Sequence, residues 1–294
     1  MNIIKNRYIY FAISIIIIAV GLGFMFYNNS QGKGFFNYDI QFTGGTSIEV
    51  SLGGKEVKNE DIANLLKDSV NIDNAQIQIV GNGESVIIKM RSLNQEERVA
   101  LTDAISKKYS LTDKDYSIRD ISATISSEMK RSSILAIVVS CIAMLIYVSF
   151  RFKNFKTGAS AIIALLHDAL ILVAFYAIFR VPLNDAFIAA ILTVLGYSIN
   201  ATIVIFDRIR ENKGRAGKID EKLINDGINQ SLRRSIFTSL TTFFTVISLY
   251  IFGVESVKVF ALPIAIGIIC GTYSSIFIAG PIWYMLNNFK TKNS

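Results

Sequence analysis

Residues 158–179 read GASAIIALLHDALILVAFYAIF, twenty-two positions in which one His-Asp pair is the only interruption by charge. A helix needs about 20 apolar residues to cross a hydrocarbon core about 30 Å thick, and a helix satisfies its own backbone there. The stretch therefore reads as a transmembrane span. Five others share its character: Tyr8–Tyr27, Ser132–Phe150, Ala186–Phe206, Ile236–Phe252 and Phe260–Leu286. Composition agrees, because 51% of the 294 residues are hydrophobic and only 18% charged, with a mean hydropathy of +0.43. An ordinary soluble domain is excluded. The first span outlasts the roughly 7 to 15 apolar residues of a signal peptide, and no A-x-A-like site follows before Asn28, so it is expected to remain as an anchor.

Charge divides the chain. Residues 28–131 hold 13 Lys/Arg and 15 Asp/Glu, a net of −2, and the remainder carries +9. Basic residues near span ends resist translocation. Lys5 and Arg7, then Arg151, Lys153 and Lys156, then eight basic residues from Arg208 to Arg234, then Lys290 and Lys292 mark one side as cytoplasmic. Both termini are expected there, with residues 28–131 on the far side. The implied domains are 1–27, a first span; 28–131, an extracytoplasmic domain; and 132–294, a five-helix transmembrane bundle.

Within the polar insert the hydrophobic period changes from 2 to 3.6 and back. Strand patterns are expected over Tyr38–Val50, Ala75–Val80, Ser85–Met90 and Tyr116–Ile125, the middle pair joined by a Gly81-Asn82-Gly83 turn. Helices are expected over Asn59–Val70 and Asn94–Tyr109; Asn94 and Glu97 stand at capping-box spacing, and Val99, Leu101 and Ile105 supply the apolar stripe. The order βαββαβ predicts a ferredoxin-like α+β domain. The whole chain reads as a multi-pass α-helical membrane protein with six transmembrane helices and that domain outside.

Several chemistries drop out. The two cysteines, Cys141 and Cys270, lie in apolar runs and offer no disulfide framework or metal spacing, and His167 is the sole histidine. Neither a Walker loop nor a GxGxxG turn is present, so nucleotide hydrolysis is not expected, and no cofactor, metal or nucleic acid is implied. The chain is expected not to be an enzyme.

An ionisable group inside a bilayer is a functional candidate by default. Asp168 is the one deeply intramembrane carboxylate, open to reading as an interhelical packing group or as a proton carrier. His167 could titrate near neutral pH, but neighbouring helical positions point about 100° apart, so the two are not expected to share a site. The fourth span adds Thr193, Ser198, Asn200 and Thr202. Gly196, Ser198, Gly267 and Gly271 are expected to allow close helix approach, with Thr272, Ser274 and Ser275 as interhelical donors. Arg234, just before the fifth span, could snorkel to the surface or turn inward to a carboxylate.

These residues fall into strings that resemble the SecF family, accessory subunits of the bacterial Sec protein translocase within the resistance-nodulation-division (RND) superfamily. The strings are Gly196-Tyr197-Ser198-Ile199-Asn200 with Asp207-Arg208-Ile209-Arg210-Glu211-Asn212, Phe42-Thr43-Gly44-Gly45-Thr46, Leu166-His167-Asp168, Ser239-Leu240-Thr241-Thr242 and Gly271-Thr272-Tyr273-Ser274-Ser275-Ile276. They occur from the first span to the last, in the family's order. The resemblance implies pairing with SecD in the bacterial cytoplasmic (inner) membrane and action after SecYEG and SecA, with YajC and YidC as further partners. The external domains would hold emerging unfolded preprotein while proton flow drives them.

The chain departs from the family at one position. Many SecF sequences carry an aspartate implicated in proton passage after the Tyr-Ser-Ile-Asn string; here it is Ala201, which binds no proton. By the same alignment Arg234 matches an arginine thought to work with that carboxylate. Three accounts are open: an engineered change that freezes one state, a carboxylate supplied by SecD, or Asp168 taking over beside Asn200 and Thr202. The SecD account is preferred. A non-energised external module that binds preprotein or recruits partners is the competing reading. A small-molecule or lipid exporter is disfavoured, because such chains commonly duplicate the six-span unit.

Overall fold

A computed structural model describes residues 1–53, 57–73, 75–80, 84–112, 114–216 and 219–288. The Gly81-Asn82-Gly83 turn, Lys290 and Lys292 lie outside the described residues. The chain divides into two units, Tyr38–Ile134 and Met1–Asn37 with the chain from Leu135 onward.

The smaller unit is a four-stranded antiparallel sheet carrying two helices. Its strands are β1 (Gly45–Ser51), β2 (Gln76–Val80), β3 (Ser85–Met90) and β4 (Tyr116–Ile121), in spatial order β2-β3-β1-β4. Register places Ile48 of β1 between Ile88 of β3 and Ile118 of β4. That face packs on Ile62 and Leu66 of one helix (Asn59–Val70) and on Leu101 and Ile105 of the other (Gln95–Tyr109).

Two ends of the expected strands are corrected. The segment before β1 is not extended: α2 (Ile40–Thr43) forms one helical turn. The two glycines that follow have φ of 76° and 141°, and a Cβ on Gly45 would collide with the Met90 carbonyl. This reversal, which only glycine accepts easily, starts β1. At the other end β4 stops at Ile121 and a helix begins at Ala123, against which Gly44 packs without room for a side chain. A third correction concerns Val99, which is 49% exposed. It stands two residues from Leu101, about 200° around the helix, so it cannot share the inward face.

The helices, numbered in chain order, are α1 (Arg7–Ser30), α2, α3 (Asn59–Val70), α4 (Gln95–Tyr109), α5 (Ala123–Phe152), α6 (Phe155–Phe179), α7 (Asp185–Ala216), α8 (Glu221–Phe252), α9 (Glu255–Ser274) and α10 (Gly280–Asn288). A π-helical turn, Ser275–Ala279, joins α9 to α10. Among the described residues six helices are long and apolar enough to cross a membrane: α1, α5, α6, α7, α8 and the α9–α10 rod. The chain is a multi-pass helical membrane protein. The α9–α10 rod is the most enclosed, whereas α1, α5 and α8 are largely exposed. Helices α7 and α8 outrun the expected spans, so Arg208, Arg210, Arg233 and Arg234 lie on helical extensions rather than in a loop.

The start of the chain is tied to α8. The amides of Ile3 and Ile4 donate to Asn225 Oδ1 at 2.9 and 3.1 Å, and both isoleucines are fully buried. The segment after α1 is held as well, because Arg180 donates to the carbonyls of Gly34 (3.0 Å) and Lys33 (2.7 Å).

Helix α4 begins with the expected capping box: Glu97 N–H donates to Asn94 Oδ1 at 2.7 Å and Asn94 N–H to Glu97 Oε2 at 3.0 Å. The Arg91 guanidinium and then the Asn94 amide hold the Glu97 carboxyl down to about 2, from 4.5. A depressed carboxyl contributes stability above its unfolded pKa and loses it as the proton returns. We expect Asn94→Ala to destabilise the smaller unit by about 1 kcal/mol. In thermal melts of the full chain, the Glu97 contribution should fade between pH 4.5 and about 2.

Candidate functional site

The centre of the larger unit is polar. Asp168 of α6 is wholly buried. Its Oδ2 accepts from Ser198 Oγ of α7 at 2.5 Å and from Ser274 Oγ of α9 at 2.8 Å. Its Oδ1 stands 3.0 Å from His167 Nδ1, and His167 Nε2 is 2.8 Å from Ser14 Oγ of α1. One carboxylate thus gathers hydroxyls from two other helices, and the histidine relays the contact to a third. The imidazole also stacks beside the Tyr273 ring, centroids 6.0 Å apart, and Tyr273 OH donates to the Tyr10 carbonyl at 2.9 Å.

This overturns the expectation that His167 and Asp168 could not converge. Their Cα–Cβ directions do diverge by about 100°, but the carboxylate and the imidazole both extend beyond Cβ, and each is drawn into the gap between α1, α7 and α9 by its hydroxyl partners. Ser14 gave its own signal, as the only polar side chain in the run Phe11–Val20. What it meets lies 153 residues away.

The π-helical turn begins at Ser275, directly after Ser274, and both serines are fully buried. Ser275 Oγ meets Thr202 Oγ1 at 2.9 Å, which places Thr202 inside the bundle. A Cβ on Gly271 would stand 2.9 Å from Ser198 Cβ, so glycine there lets α9 close on α7 and bring Ser274 to Asp168. Gly267 faces Val194 more closely still, with an added Cβ 2.1 Å from Val194 Cγ2. Two expectations fail nearby. Gly196 has nothing within 4 Å of an added Cβ and faces outward. Thr272 donates to Ile268 O of its own helix at 2.6 Å, satisfying its own turn instead of bridging helices.

A second polar region lies between α7 and α8. Val204, Asp207, Arg208, Glu211, Gln230, Ser231 and Arg234 line a cavity of about 450 Å³. Val204 and Arg234 also line a cavity of about 70 Å³ with Tyr197, Asn200 and Ala201. Arg208 is held by Gln230 (2.7 Å) and Glu211 (2.9 Å), and Asp207 by Arg210 (3.1 Å) and Arg151 (3.3 Å). Arg234 has neither hydrogen bond nor ion pair among the described residues. Asn200 is exposed on α7. The structure therefore separates the candidates: His167, Asp168, Ser198, Thr202 and Ser274 meet inside, while Asn200, Ala201 and Arg234 share an outward crevice. Arg234 is the fourteenth residue of α8, well inside the helix rather than before it.

The family model described as "Protein export membrane protein SecD/SecF, C-terminal" matches residues 101–289. The chain belongs to the SecD/SecF family. It serves as a Sec protein translocase subunit. The SecF subunit of Sebaldella termitidis is 33% identical over 99% of this chain and 93% of its own length. That of Thermodesulfovibrio yellowstonii is 35% identical over 97% and 94%. SecDF of Brucella abortus, a longer protein, is 36% identical over 84% of this chain, which spans 33% of that relative. The crystal structure of the translocon-associated membrane protein SecDF from Thermus thermophilus superposes with a TM-score of 0.85 at 31% identity, covering 99% of this chain and 39% of that one.

Within this SecF-type subunit the strings divide by physical role. Phe42–Thr46 builds the reversal into β1, and Thr46 Oγ1 donates to Asp120 at 2.6 Å. Leu166–Asp168, Gly196–Asn200 and Gly271–Ile276 contribute to the buried cluster. Ser239–Thr242 meets Tyr197, whose hydroxyl stands 3.4 Å from Ser239 Oγ and Thr242 Oγ1. Removing one donor from Asp168 by Ser198→Ala should cost about 1 kcal/mol. Differential scanning calorimetry of the detergent-solubilised chain should show a lower Tm, and Thr193→Ala, at an exposed hydroxyl, should leave it unchanged.

Proposed function

We propose that the chain is the SecF half of a SecD–SecF pair in the bacterial inner membrane, promoting late steps of preprotein export with the proton motive force. Arg234 carries the reading. It lines a crevice with Ala201 on an exposed side of α8, and no ion pair holds it among the described residues, although Asp207 and Glu211 line the adjoining cavity. A cation left unpaired there fits a carboxylate from a second membrane chain. The same side of α8 continues as Thr238, Thr241, Thr245 and Ser248, all exposed at spacings of three and four, which suits a helix–helix contact better than lipid. The longer SecDF relatives, of which this chain matches about a third, support SecD as that partner.

In this reading the proton is carried at the SecD carboxylate opposite Arg234, and Asp168 is a structural pin. The contacts of Asp168 with Ser198 and Ser274 tie α6 to α7 and α9, which supports the structural role. Helices α3 and α4 on one face of the β2-β3-β1-β4 sheet support a ferredoxin-like domain. The basic helix ends support cytoplasmic termini with that domain outside. SecYEG, SecA, YajC and YidC would be neighbours and unfolded preprotein the cargo; no covalent bond is made or broken. Ala201 favours one other reading, an external module that binds preprotein without energy conversion.

Isolation of the tagged chain from its native membrane should recover SecD, and export into vesicles should fall when an uncoupler is added. Arg234→Gln should remove the uncoupler-sensitive part while the pair still assembles. Asp168→Asn should lower Tm yet leave uncoupler sensitivity in the folded fraction. Export indifferent to the uncoupler with the pair intact would select the non-energised module instead.

A further inference from the structure

On another side of α8 the structure opens an apolar groove of about 510 Å³ toward the sixth span. Leu232, Ile236, Leu240 and Phe243 form one wall, and Ile269 and Phe277 stand on the other. Leu232 to Phe243 rises about 16 Å along the helix, roughly half the hydrocarbon thickness. The groove is therefore one leaflet long, the reach of one acyl chain of a lipid in that leaflet.

One end of the groove is polar and basic. Met1 closes it, held by Asn229, which donates from Nδ2 to the Met1 carbonyl at 2.9 Å. Arg233 is exposed one turn from Ile236, with its guanidinium over the Phe237 ring at 5.7 Å and no carboxylate partner among the described residues. The nearest acidic residue on this side of α8, Asp226, is two turns further from the groove. A cation without an ion-pair partner beside a leaflet-long apolar groove matches a lipid with a negative headgroup.

We propose that this groove is a lipid site, holding one acyl chain of an anionic glycerophospholipid whose phosphate is met by Arg233. The site lies apart from the Ala201–Arg234 crevice and does not rest on proton coupling. Native mass spectrometry of the full-length, detergent-purified chain, offered phosphatidylglycerol or phosphatidylcholine with identical acyl chains, tests it directly. Phosphatidylglycerol should be retained about fivefold better, as expected for one basic side chain at a membrane surface. Arg233→Gln should bring the two lipids close to parity, whereas Lys156→Gln should not. Filling the groove with Ile269→Trp, at an exposed position that tolerates bulk, should reduce retention of both. Equal retention by the unmodified chain, or a preference untouched by Arg233→Gln, would overturn the proposal. So would a photo-cross-linker at Leu240 that captures a protein in native membranes instead of lipid.

Discussion

A carboxylate at zero exposure within a membrane bundle has to be met by donors at fixed distances, and that requirement governs the larger unit. Asp168 draws Ser198 of α7 and Ser274 of α9 to one oxygen and His167 to the other. Ser14 extends the set to α1. Because apolar packing in lipid discriminates weakly between helix arrangements, these contacts specify the arrangement. Gly271 is the steric counterpart: without the close approach it permits, Ser274 would not reach Asp168.

The polar groups that the bundle does not enclose are equally informative. Arg234 and the hydroxyl-bearing side of α8 are exposed, as is Asn200 of α7. The subunit is internally complete around Asp168 and incomplete around Ala201. Such a division separates a fold-determining network from an exposed crevice.

Local features were legible from the sequence. The capping box at Asn94 and Glu97, the ends of α3 and β3, and the six apolar spans depend on residues close together in the chain. Contacts that join distant residues were not. The convergence of His167 on Asp168 depends on Ser14 and Ser274, which no spacing rule places beside them. Gly196 and Gly271 look alike in sequence and differ only because one faces Ser198 across a helix interface and the other faces outward. The basic residues after Phe206 resembled a loop, because charge was the only signal, and the packing that keeps α7 and α8 helical there is tertiary. The turn at Ile40–Thr43 was masked by an apolar pattern that fits a strand as well.

The docking of Ile3 and Ile4 onto Asn225 joins residues more than two hundred positions apart. Translation proceeds in one direction, so the partner of these amides is made long after they are. Two isoleucines and two amides find this contact only once α8 exists, which makes it a late step of assembly.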